Sequence, residues 1–252
     1  MNDYSYLILG GDKRQLYLYD ILKSKNKNVK KIFLADNDDE YGFDENFKEN
    51  VIILPIPSSI DGKNLYTPLI KKTVPLNSVT ERISKDAVLF TGGENPLFTA
   101  SKAKKVVNLL SSETMTLKNA LATSEAAISI IINNTSHTIF KSNILVIGYG
   151  RIGEIITDYL IGLNGKVSVC ARKDTARVKA ARSGAETFNF DMLDKFLPKF
   201  DVIINTVPAL ILDKSELQQI NKNALVIDLA SKPGGIDFEA AKDLKLNTIH
   251  AL

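Results

Sequence analysis

The sequence predicts two α/β domains, each built around a mostly parallel, doubly wound β-sheet. Short apolar, β-branched segments alternate with helical or irregular segments along the chain. Two of these segments, which end at Leu9 and Ile147, run directly into a glycine turn and then a helix. The 252 residues, 44% of them apolar, are enough to bury one large core or two moderate ones. Strands that alternate with helices form parallel sheets with right-handed crossovers, so we expect domains at 1–115 and 116–252 with a cleft between them.

The first half opens with a strand at 6–9 and a turn at Gly10 and Gly11. A helix at 13–24 follows, and Asp12 is expected to cap it. The other predicted elements of this half are strands at 31–35, 51–54 and 87–90, an acidic loop at 36–40, and a helix at 97–111.

A second helix, at about 118–133, is expected to bridge the two domains. It carries Ala122, Ala126 and Ile130 at helical spacing, so we expect that face to be well buried. The elements predicted after it are strands at 143–147, 166–171, 186–188, 201–205, 224–228 and 247–251, with helices at 154–161 and 176–181.

Composition excludes several classes of protein. The 32 basic and 29 acidic residues leave a net charge of +3, which does not indicate a nucleic-acid partner. The single cysteine, Cys170, cannot form an internal disulfide, which indicates a reducing compartment. The apolar runs are far shorter than the ~20 residues that span a bilayer, and the N-terminus does not resemble a signal peptide. We therefore expect a cytoplasmic protein with no membrane partner. No metal site is expected, because His250 has no second His or Cys at ligand spacing.

The most specific motif is a G-x-G-x-x-G turn that follows an apolar strand and precedes a helix. It comprises Gly148, Tyr149, Gly150, Arg151, Ile152 and Gly153. In this context the first glycine permits a tight turn, the second lets the backbone approach a pyrophosphate, and the third lets the helix pack close to the sheet. The helix N-terminus offers N–H groups and a positive dipole end to the phosphates. The motif therefore predicts a dinucleotide site in a Rossmann-like domain.

The residues after the next strand indicate which dinucleotide binds. An NAD site usually places Asp or Glu about 20 residues beyond the glycines. Here that place holds Ala171, Arg172 and Lys173, and a guanidinium suits a 2′-phosphate because it offers a planar fork of donors and a permanent charge. The alternative is that Arg172 is only a solvated charge at a strand end. We favour NADP, while NAD stays possible because some dual-specific sites share this pattern. Ligands bind beyond the carboxyl ends of such strands, so two later loops are expected to border the cofactor. Their predicted contact residues are Thr206, Val207, Pro208, Ala230 and Ser231.

Six motifs together resemble the family of dipicolinate synthase A subunits. They are Gly-Gly-Asp-x-Arg-Gln at 10–15, Thr-x-Glu-x-Ala-Ile at 123–128, Gly-Tyr-Gly-Arg-Ile-Gly at 148–153, Ala-Arg at 171–172, Asn-Thr-Val-Pro-Ala at 205–209 and Asp-Leu-Ala-Ser-Lys-Pro-Gly-Gly at 228–235. The resemblance spans residues 6–252, and its first and last motifs are the specific parts. Ser124-Glu125-Ala126 replaces the family's usual Ala-Glu-Gly. The family also continues into a Leu-Pro-Gly-Lys loop and a further helix, so we expect a shortened chain with an apolar patch at 244–252 that a partner covers.

The resemblance implies a sporulation enzyme that works with the flavoprotein-like B subunit of dipicolinate synthase. It forms pyridine-2,6-dicarboxylate by oxidising a dihydro or hydroxytetrahydro precursor, which requires a hydride acceptor, a base and cations for two carboxylates. Lys232 follows a strand end at the cleft, where it can hold a carboxylate or polarise a leaving group, and a loop lysine in solvent is an equal alternative. Arg14 lies in the first turn of a helix, where a cation is unfavourable for the helix dipole, so a ligand role is favoured. Glu125 is either the base or an ion-pair partner of one of these cations. Arg14 and Lys232 are expected to meet the dicarboxylate substrate from opposite domains, and the chain is expected to form a homo-oligomer.

Two other functions stay open. Another NADP-dependent 2-hydroxyacid or amino-acid dehydrogenase would share the fold, but would normally carry a His–Glu or Lys–Asp pair at the cleft. A non-catalytic NADP-binding regulatory protein would bind NADPH without turnover. Turnover of a dihydrodipicolinate substrate distinguishes dipicolinate synthase activity from both of these alternatives.

Overall fold

The computed structural model describes residues 4–35 and 46–251, so the acidic loop predicted at 36–40 lies outside the described residues. The chain divides into two compact units, Met1–Met115 and Thr116–Leu252. Each unit contains its own parallel sheet, which confirms the predicted pair of parallel α/β domains. Within the described ranges, no helix combines the length and the apolar character needed to cross a membrane.

The first unit is a parallel sheet with short helices between its strands. The strands are β1 (Ser5–Leu9), β2 (Asn28–Ile32), β3 (Val51–Ile53), β4 (Val88–Thr91) and β5 (Lys105–Asn108). The helices are α1 (Lys13–Ser24), α2 (Leu76–Thr80) and α3 (Pro96–Thr99). Among the described residues these strands form a five-stranded sheet in the order β2-β1-β3-β4-β5. Strand residues such as Leu7, Ile52 and Leu89 are fully buried, so the apolar strand segments build the core of this unit.

The glycine turn after β1 leads into α1 as predicted. Gly10 has a φ of +62°, and its N–H donates to the Ile32 carbonyl oxygen at 2.9 Å. The Asp12 carboxylate then accepts the backbone N–H of Arg14 at 2.9 Å, and Gln15 completes a capping box. The predicted helix at 13–24 and its Asp12 cap are both confirmed.

Two predicted elements of this unit are wrong. The segment predicted as a helix at 97–111 contains the end of the short α3 and then β5. Pro96 begins α3, whereas the β-branched Val107 lies in a strand that pairs with β4, where such residues pack well. The strand predicted at 31–35 begins and ends three residues earlier, because Phe33 has a φ of +63° and cannot continue an extended strand.

The second unit is a doubly wound sheet. It begins within α4 (Glu113–Asn134). Its strands are β6 (Asn143–Ile147), β7 (Lys166–Cys170), β8 (Glu186–Phe188), β9 (Val202–Asn205), β10 (Leu225–Asp228) and β11 (Asn247–His250). Its helices are α5 (Arg151–Gly162), α6 (Asp174–Arg182), α7 (Leu193–Phe196), α8 (Lys214–Gln219) and α9 (Phe238–Asp243). Within the described part of the chain the parallel strand order is β11-β10-β9-β6-β7-β8. The winding reverses between β6 and β9, and ligands of such sheets bind at the carboxyl ends of the strands at this point.

The bridging helix buries a different face from the one predicted. The side chains buried along α4 are Ala120, Ser124, Ala127 and Ile131. Ala122 and Ala126 are exposed and Ile130 is half-buried, so the prediction for these three residues is wrong. The sequence of α4 has small and apolar residues on both stripes. The buried stripe is the one whose Ala127 and Ile131 pack into the core above β6.

The apolar patch predicted at 244–252 is also wrong for residues 244–251, which the structure describes. Leu246 is buried in the core on one face of the sheet, and Leu244 packs against that core. Ile249 and Ala251 pack against the core on the other face. Because these side chains are taken up by the two cores, this segment presents no large exposed apolar side chain.

Candidate functional site

The turn between β6 and α5 has the geometry that its three glycines predict. Gly148 has a φ of +91°, in the left-handed region that favours glycine, and its N–H donates to the Cys170 carbonyl oxygen at 2.9 Å. A Cβ at Gly148 would lie 2.5 Å from the Thr206 hydroxyl oxygen. A Cβ at Gly153 would lie 2.4 Å from the Gly148 carbonyl oxygen. Both positions therefore require glycine for the protein to fold as it does.

Gly150 differs from the other two glycines because the space beside it is open. Its φ of −89° suits any residue, and apart from Gly150 and its two chain neighbours no heavy atom of the described residues lies within 4 Å of the Cβ that a side chain would add. The Gly150 carbonyl oxygen accepts the N–H of Glu154 at 2.8 Å, so the residue starts α5. The first-turn N–H groups of a helix have no acceptor within the helix, and they lie at the positive end of the helix dipole. The turn fits a dinucleotide pyrophosphate.

The other residues of the motif surround this turn. Tyr149 and Ile152 are half-buried and pack against the core, whereas Arg151 is exposed. Burial raises the pKa of the Tyr149 hydroxyl, so this group stays protonated and uncharged at neutral pH. The motif therefore combines a packed apolar side with an open polar side.

The loop after β7 lies next to the glycine turn and is held by an arginine that the sequence reasoning missed. Ala171 is buried, and Arg172 and Lys173 are exposed. The Arg177 guanidinium donates to the carbonyl oxygens of Ala171 at 2.6 Å and of Arg172 at 2.9 Å, and it also pairs with the Asp174 carboxylate. The i, i+3 spacing of Asp174 and Arg177 is the sequence signal that points to this pair.

A buried pair of side chains, Asn205 and Asp228, joins the loops that follow β9 and β10. Both residues are fully buried and lie opposite each other in the register of the two strands. One Asp228 carboxylate oxygen accepts the Asn205 amide at 2.8 Å and the N–H of Ala230 at 3.0 Å. The other accepts the N–H of Gly235 at 2.8 Å. Asn205 in turn accepts the N–H of Val207 at 3.1 Å and donates to its carbonyl oxygen at 3.0 Å.

This pair brings the predicted cofactor residues of the two loops to the same sheet edge as the glycine turn. The Thr206 hydroxyl donates to the Ile147 carbonyl oxygen at 2.9 Å, directly before Gly148. Ala230 is buried, whereas Pro208 and Ser231 are exposed. The sequence pattern predicted that these two loops border the cofactor, but it did not identify the Asn205–Asp228 pair. The sequence signal for this pair is that each of the two strands is apolar except for the polar residue at its end.

The three predicted catalytic residues lie in different surroundings. Arg14 is half exposed and its guanidinium donates to the Asp12 carboxylate at 2.8 Å and to the Ile56 carbonyl oxygen at 2.6 Å. Asp12 raises the pKa of Arg14, and Arg14 lowers the pKa of Asp12. Lys232 is exposed in the loop that Asp228 holds. The dipole cost inferred for Arg14 is thus offset by Asp12 without a ligand.

Glu125 lies away from the glycine turn within the second unit. It is exposed on α4 and lines a groove with Asp158 and Tyr159, in the carboxyl-terminal half of α5, and with Leu163, the C-cap of that helix. The glycine turn is at the other end of that helix. The structure therefore brings together the predicted cofactor residues of the second unit and Lys232 at one sheet edge, but it does not bring Glu125 there.

Comparisons with known proteins agree with this geometry. The family model for the N-terminal domain of the dipicolinate synthase A subunit matches residues 5–112, and the one described as D-isomer specific 2-hydroxyacid dehydrogenase, NAD binding domain, matches residues 111–239. The dipicolinate synthase A subunit of Bacillus subtilis (strain 168) is 29% identical over 251 residues, which cover 93% of this chain and 83% of that protein.

Solved structures give the same result. The crystal structure of the dipicolinate synthase A chain from Bacillus subtilis is 26% identical with a TM-score of 0.80, over 100% of this chain and 88% of that one. The dipicolinate synthase A subunit from Bacillus halodurans is 26% identical with a TM-score of 0.81, over 97% and 88% of the two chains. The apo structure of D-lactate dehydrogenase from Escherichia coli, 13% identical over 97% and 80% of the two chains with a TM-score of 0.65, shares the fold.

The resemblance drawn from the sequence motifs is confirmed by these matches. The NAD-binding domain indicates an oxidoreductase that uses a nicotinamide dinucleotide. The chain belongs, through residues 111–239, to the NAD-binding domain family of D-isomer specific 2-hydroxyacid dehydrogenases, and its residues 5–112 are similar to the N-terminal domain of dipicolinate synthase A subunits.

Proposed function

We propose that this protein is the NADP-dependent A subunit of a dipicolinate synthase. It oxidises a dihydro- or hydroxytetrahydro-dipicolinate to dipicolinate, acts together with the B subunit of that synthase, and works in the cytoplasm of sporulating cells. The observation that carries the proposal is the loop at 228–235. This loop bears one of the two specific motifs of the family resemblance, and the buried Asp228 carboxylate holds it at the sheet edge that contains the glycine turn.

Different segments of the second unit bind different parts of the dinucleotide. The Gly148–Gly153 turn binds the pyrophosphate through its backbone N–H groups and the open space beside Gly150. The loops after β9 and β10 border the nicotinamide end through Thr206, Val207, Pro208, Ala230 and Ser231. The dinucleotide supplies the hydride acceptor that ring oxidation needs.

Arg172 and Lys173 bind the 2′-phosphate in this proposal. Both side chains are exposed in the loop after β7, and a guanidinium binds phosphate with two parallel charge-assisted hydrogen bonds. Arg172→Ala is therefore expected to weaken NADPH by about 1.5–3 kcal/mol, which is on the order of 10- to 100-fold, while NADH binding changes little. Equilibrium titration of both cofactors measures the effect.

Lys179→Ala is the matched control, because it removes an exposed cation from the last turn of α6. It is expected to leave both affinities unchanged. Equal weakening of NADPH and NADH by Arg172→Ala would remove the argument for a 2′-phosphate contact.

Lys232 and Arg14 bind the substrate carboxylates in this proposal. Lys232 projects from a loop whose backbone is fixed by Asp228, and Arg14 is anchored by Asp12 and Ile56. Alanine at either position is expected to raise the KM for the substrate without changing NADPH affinity, because in this proposal both residues bind the substrate and not the nucleotide. Steady-state kinetics with a parallel NADPH titration separates the two effects. A fall in NADPH affinity with an unchanged KM would exclude the role for that residue. The proposal does not use Glu125 as the base, because Glu125 lies beside the end of α5 that is far from the glycine turn.

Turnover tests the proposed function. The full chain is incubated with freshly made dihydrodipicolinate and NADP⁺, with and without the B subunit, and dipicolinate is quantified together with the NADPH formed. Equal amounts of dipicolinate and NADPH support the proposal, and a rate that rises when the B subunit is present supports the partnership. NADPH binding without turnover in either mixture would favour a non-catalytic regulatory protein.

The match to 2-hydroxyacid dehydrogenases supports a second candidate, an NADP-dependent oxidation of a 2-hydroxy acid or amino acid. The histidines do not favour it. His137 bonds to Ser142 at 3.0 Å, just before β6 and thus at the amino edge of the sheet. His250 packs edge-on against Phe238. A panel of D-2-hydroxy acids in the same assay distinguishes the candidates, since turnover of these alone would favour the second.

A further inference from the structure

We propose that Arg177 determines which dinucleotide the site accepts, as a positioning residue that acts through Arg172 and Asp174. This inference rests on the proposed NADP-dependent function. Arg177 lies near the start of α6, but its guanidinium reaches back over the loop that precedes the helix. Its side chain is 20% exposed, so the loop largely covers it.

The first effect of Arg177 is on the backbone that carries Arg172. The guanidinium donates to two successive carbonyl oxygens, those of Ala171 at 2.6 Å and Arg172 at 2.9 Å. The loop is also fixed on the strand side, because the Cys170 carbonyl oxygen accepts the N–H of Gly148 and the Ala171 N–H donates to Phe188. These contacts hold the Arg172 backbone in one place beside the glycine turn. The exposed Arg172 side chain therefore extends from a fixed base.

The second effect is on the charge of the loop. Asp174 is two residues beyond Arg172, and its side chain is 87% exposed. A carboxylate after this strand favours the ribose hydroxyls of NAD and repels a 2′-phosphate. Here the Asp174 carboxylate is paired with Arg177, whose position is set by the two carbonyl oxygens. Because Arg177 pairs with the Asp174 carboxylate, the positive charges of Arg172 and Lys173 are little reduced by the nearby negative charge of Asp174.

The two effects predict a non-additive pair of substitutions. Arg177→Leu removes the carbonyl contacts and releases Asp174, so the ratio of NADPH affinity to NADH affinity is expected to fall about tenfold or more. Asp174→Asn alone is expected to change the ratio less than about twofold, because that carboxylate is already neutralised. Asp174→Asn in the Arg177→Leu background is expected to restore part of the ratio, since it removes the released charge.

The experiment measures the dissociation constants of NADPH and NADH for the full chain and its variants at one salt concentration, with melting temperatures in parallel. Arg182→Ala, at the end of α6, is the control and is expected to leave the ratio unchanged. Arg177→Lys retains a cation but cannot form the same fork, so its ratio is expected to lie between those of wild type and Arg177→Leu. It also serves as the test variant if Arg177→Leu does not fold.

A wild-type protein that prefers NADPH, together with an Arg177→Leu variant of unchanged ratio, would overturn this inference and leave the proposed function standing. Equal weakening of both cofactors would also overturn it, because that result is a general loosening of the site. A wild-type protein that does not prefer NADPH would overturn the cofactor assignment and this inference together.

Discussion

Replacing Gly150 with alanine is expected to weaken NADPH binding on the order of 100-fold while leaving the melting temperature unchanged. The φ of −89° at Gly150 suits alanine, and the described residues leave open space where the new methyl group would lie. The protein alone therefore tolerates the change. The pyrophosphate must approach the backbone at this point, so the methyl group occupies space that the proposed ligand needs. Titration with NADPH and a thermal melt measure the two quantities.

Gly162→Ala is the matched control for this prediction. Gly162 lies in the last turn of the same helix, where among the described residues there is also open space beside it. This variant is expected to bind NADPH as the wild type does and to be more stable by up to ~1 kcal/mol, because alanine favours the helix. If Gly150→Ala retains the wild-type affinity, the pyrophosphate does not bind at the turn and the proposed site is wrong.

Asp228→Ala is expected to lower the free energy of unfolding by about 3 kcal/mol or more and to abolish turnover. The substitution leaves three buried donors without an acceptor, on Asn205, Ala230 and Gly235, and each unsatisfied buried donor costs about 1–3 kcal/mol. Turnover is lost because the loop that carries Lys232 is no longer fixed. Urea unfolding measures the stability, and the dipicolinate assay measures the activity.

Asp213→Ala is the control for Asp228→Ala. Asp213 also accepts backbone hydrogen bonds, as the cap of α8, but it is exposed and water replaces the lost acceptor. Its removal is expected to cost about 1 kcal/mol. Equal losses in the free energy of unfolding of the two variants would show that the burial of Asp228 does not increase its contribution to stability.

Much of the fold was predictable because the strands are short apolar segments bounded by glycine and polar residues. The strand at 186–188 and the helix at 13–24 have their predicted bounds, and the glycine turn has its predicted geometry. The segment 97–111 was mispredicted because its apolar residues fit a helical period as well as a strand. The segment Lys105–Asn108 is a strand because it pairs with β4, from which α3 separates it in sequence.

The candidate site was less predictable because the hydrogen bonds that hold its loops form between residues that only the fold brings together. Asn205 and Asp228 are 23 residues apart in sequence and meet because β9 and β10 are neighbours in this register. Arg177 lies in the predicted helix at 176–181, and nothing in the local sequence shows that its guanidinium turns back to the Ala171 carbonyl oxygen. Arg14 was singled out for an unfavourable position, but the adjacent Asp12 supplies the compensating charge.

The most direct test of the account is a titration of the wild-type chain with NADPH and NADH at one salt concentration. We expect NADPH to bind about tenfold or more tightly than NADH, because Arg172 and Lys173 are exposed to meet a 2′-phosphate and the neighbouring Asp174 is paired. We also expect 2′,5′-ADP to displace NADPH at lower concentration than 5′-AMP does. Absence of binding by both cofactors, or NADH binding as tightly as NADPH, would contradict this account.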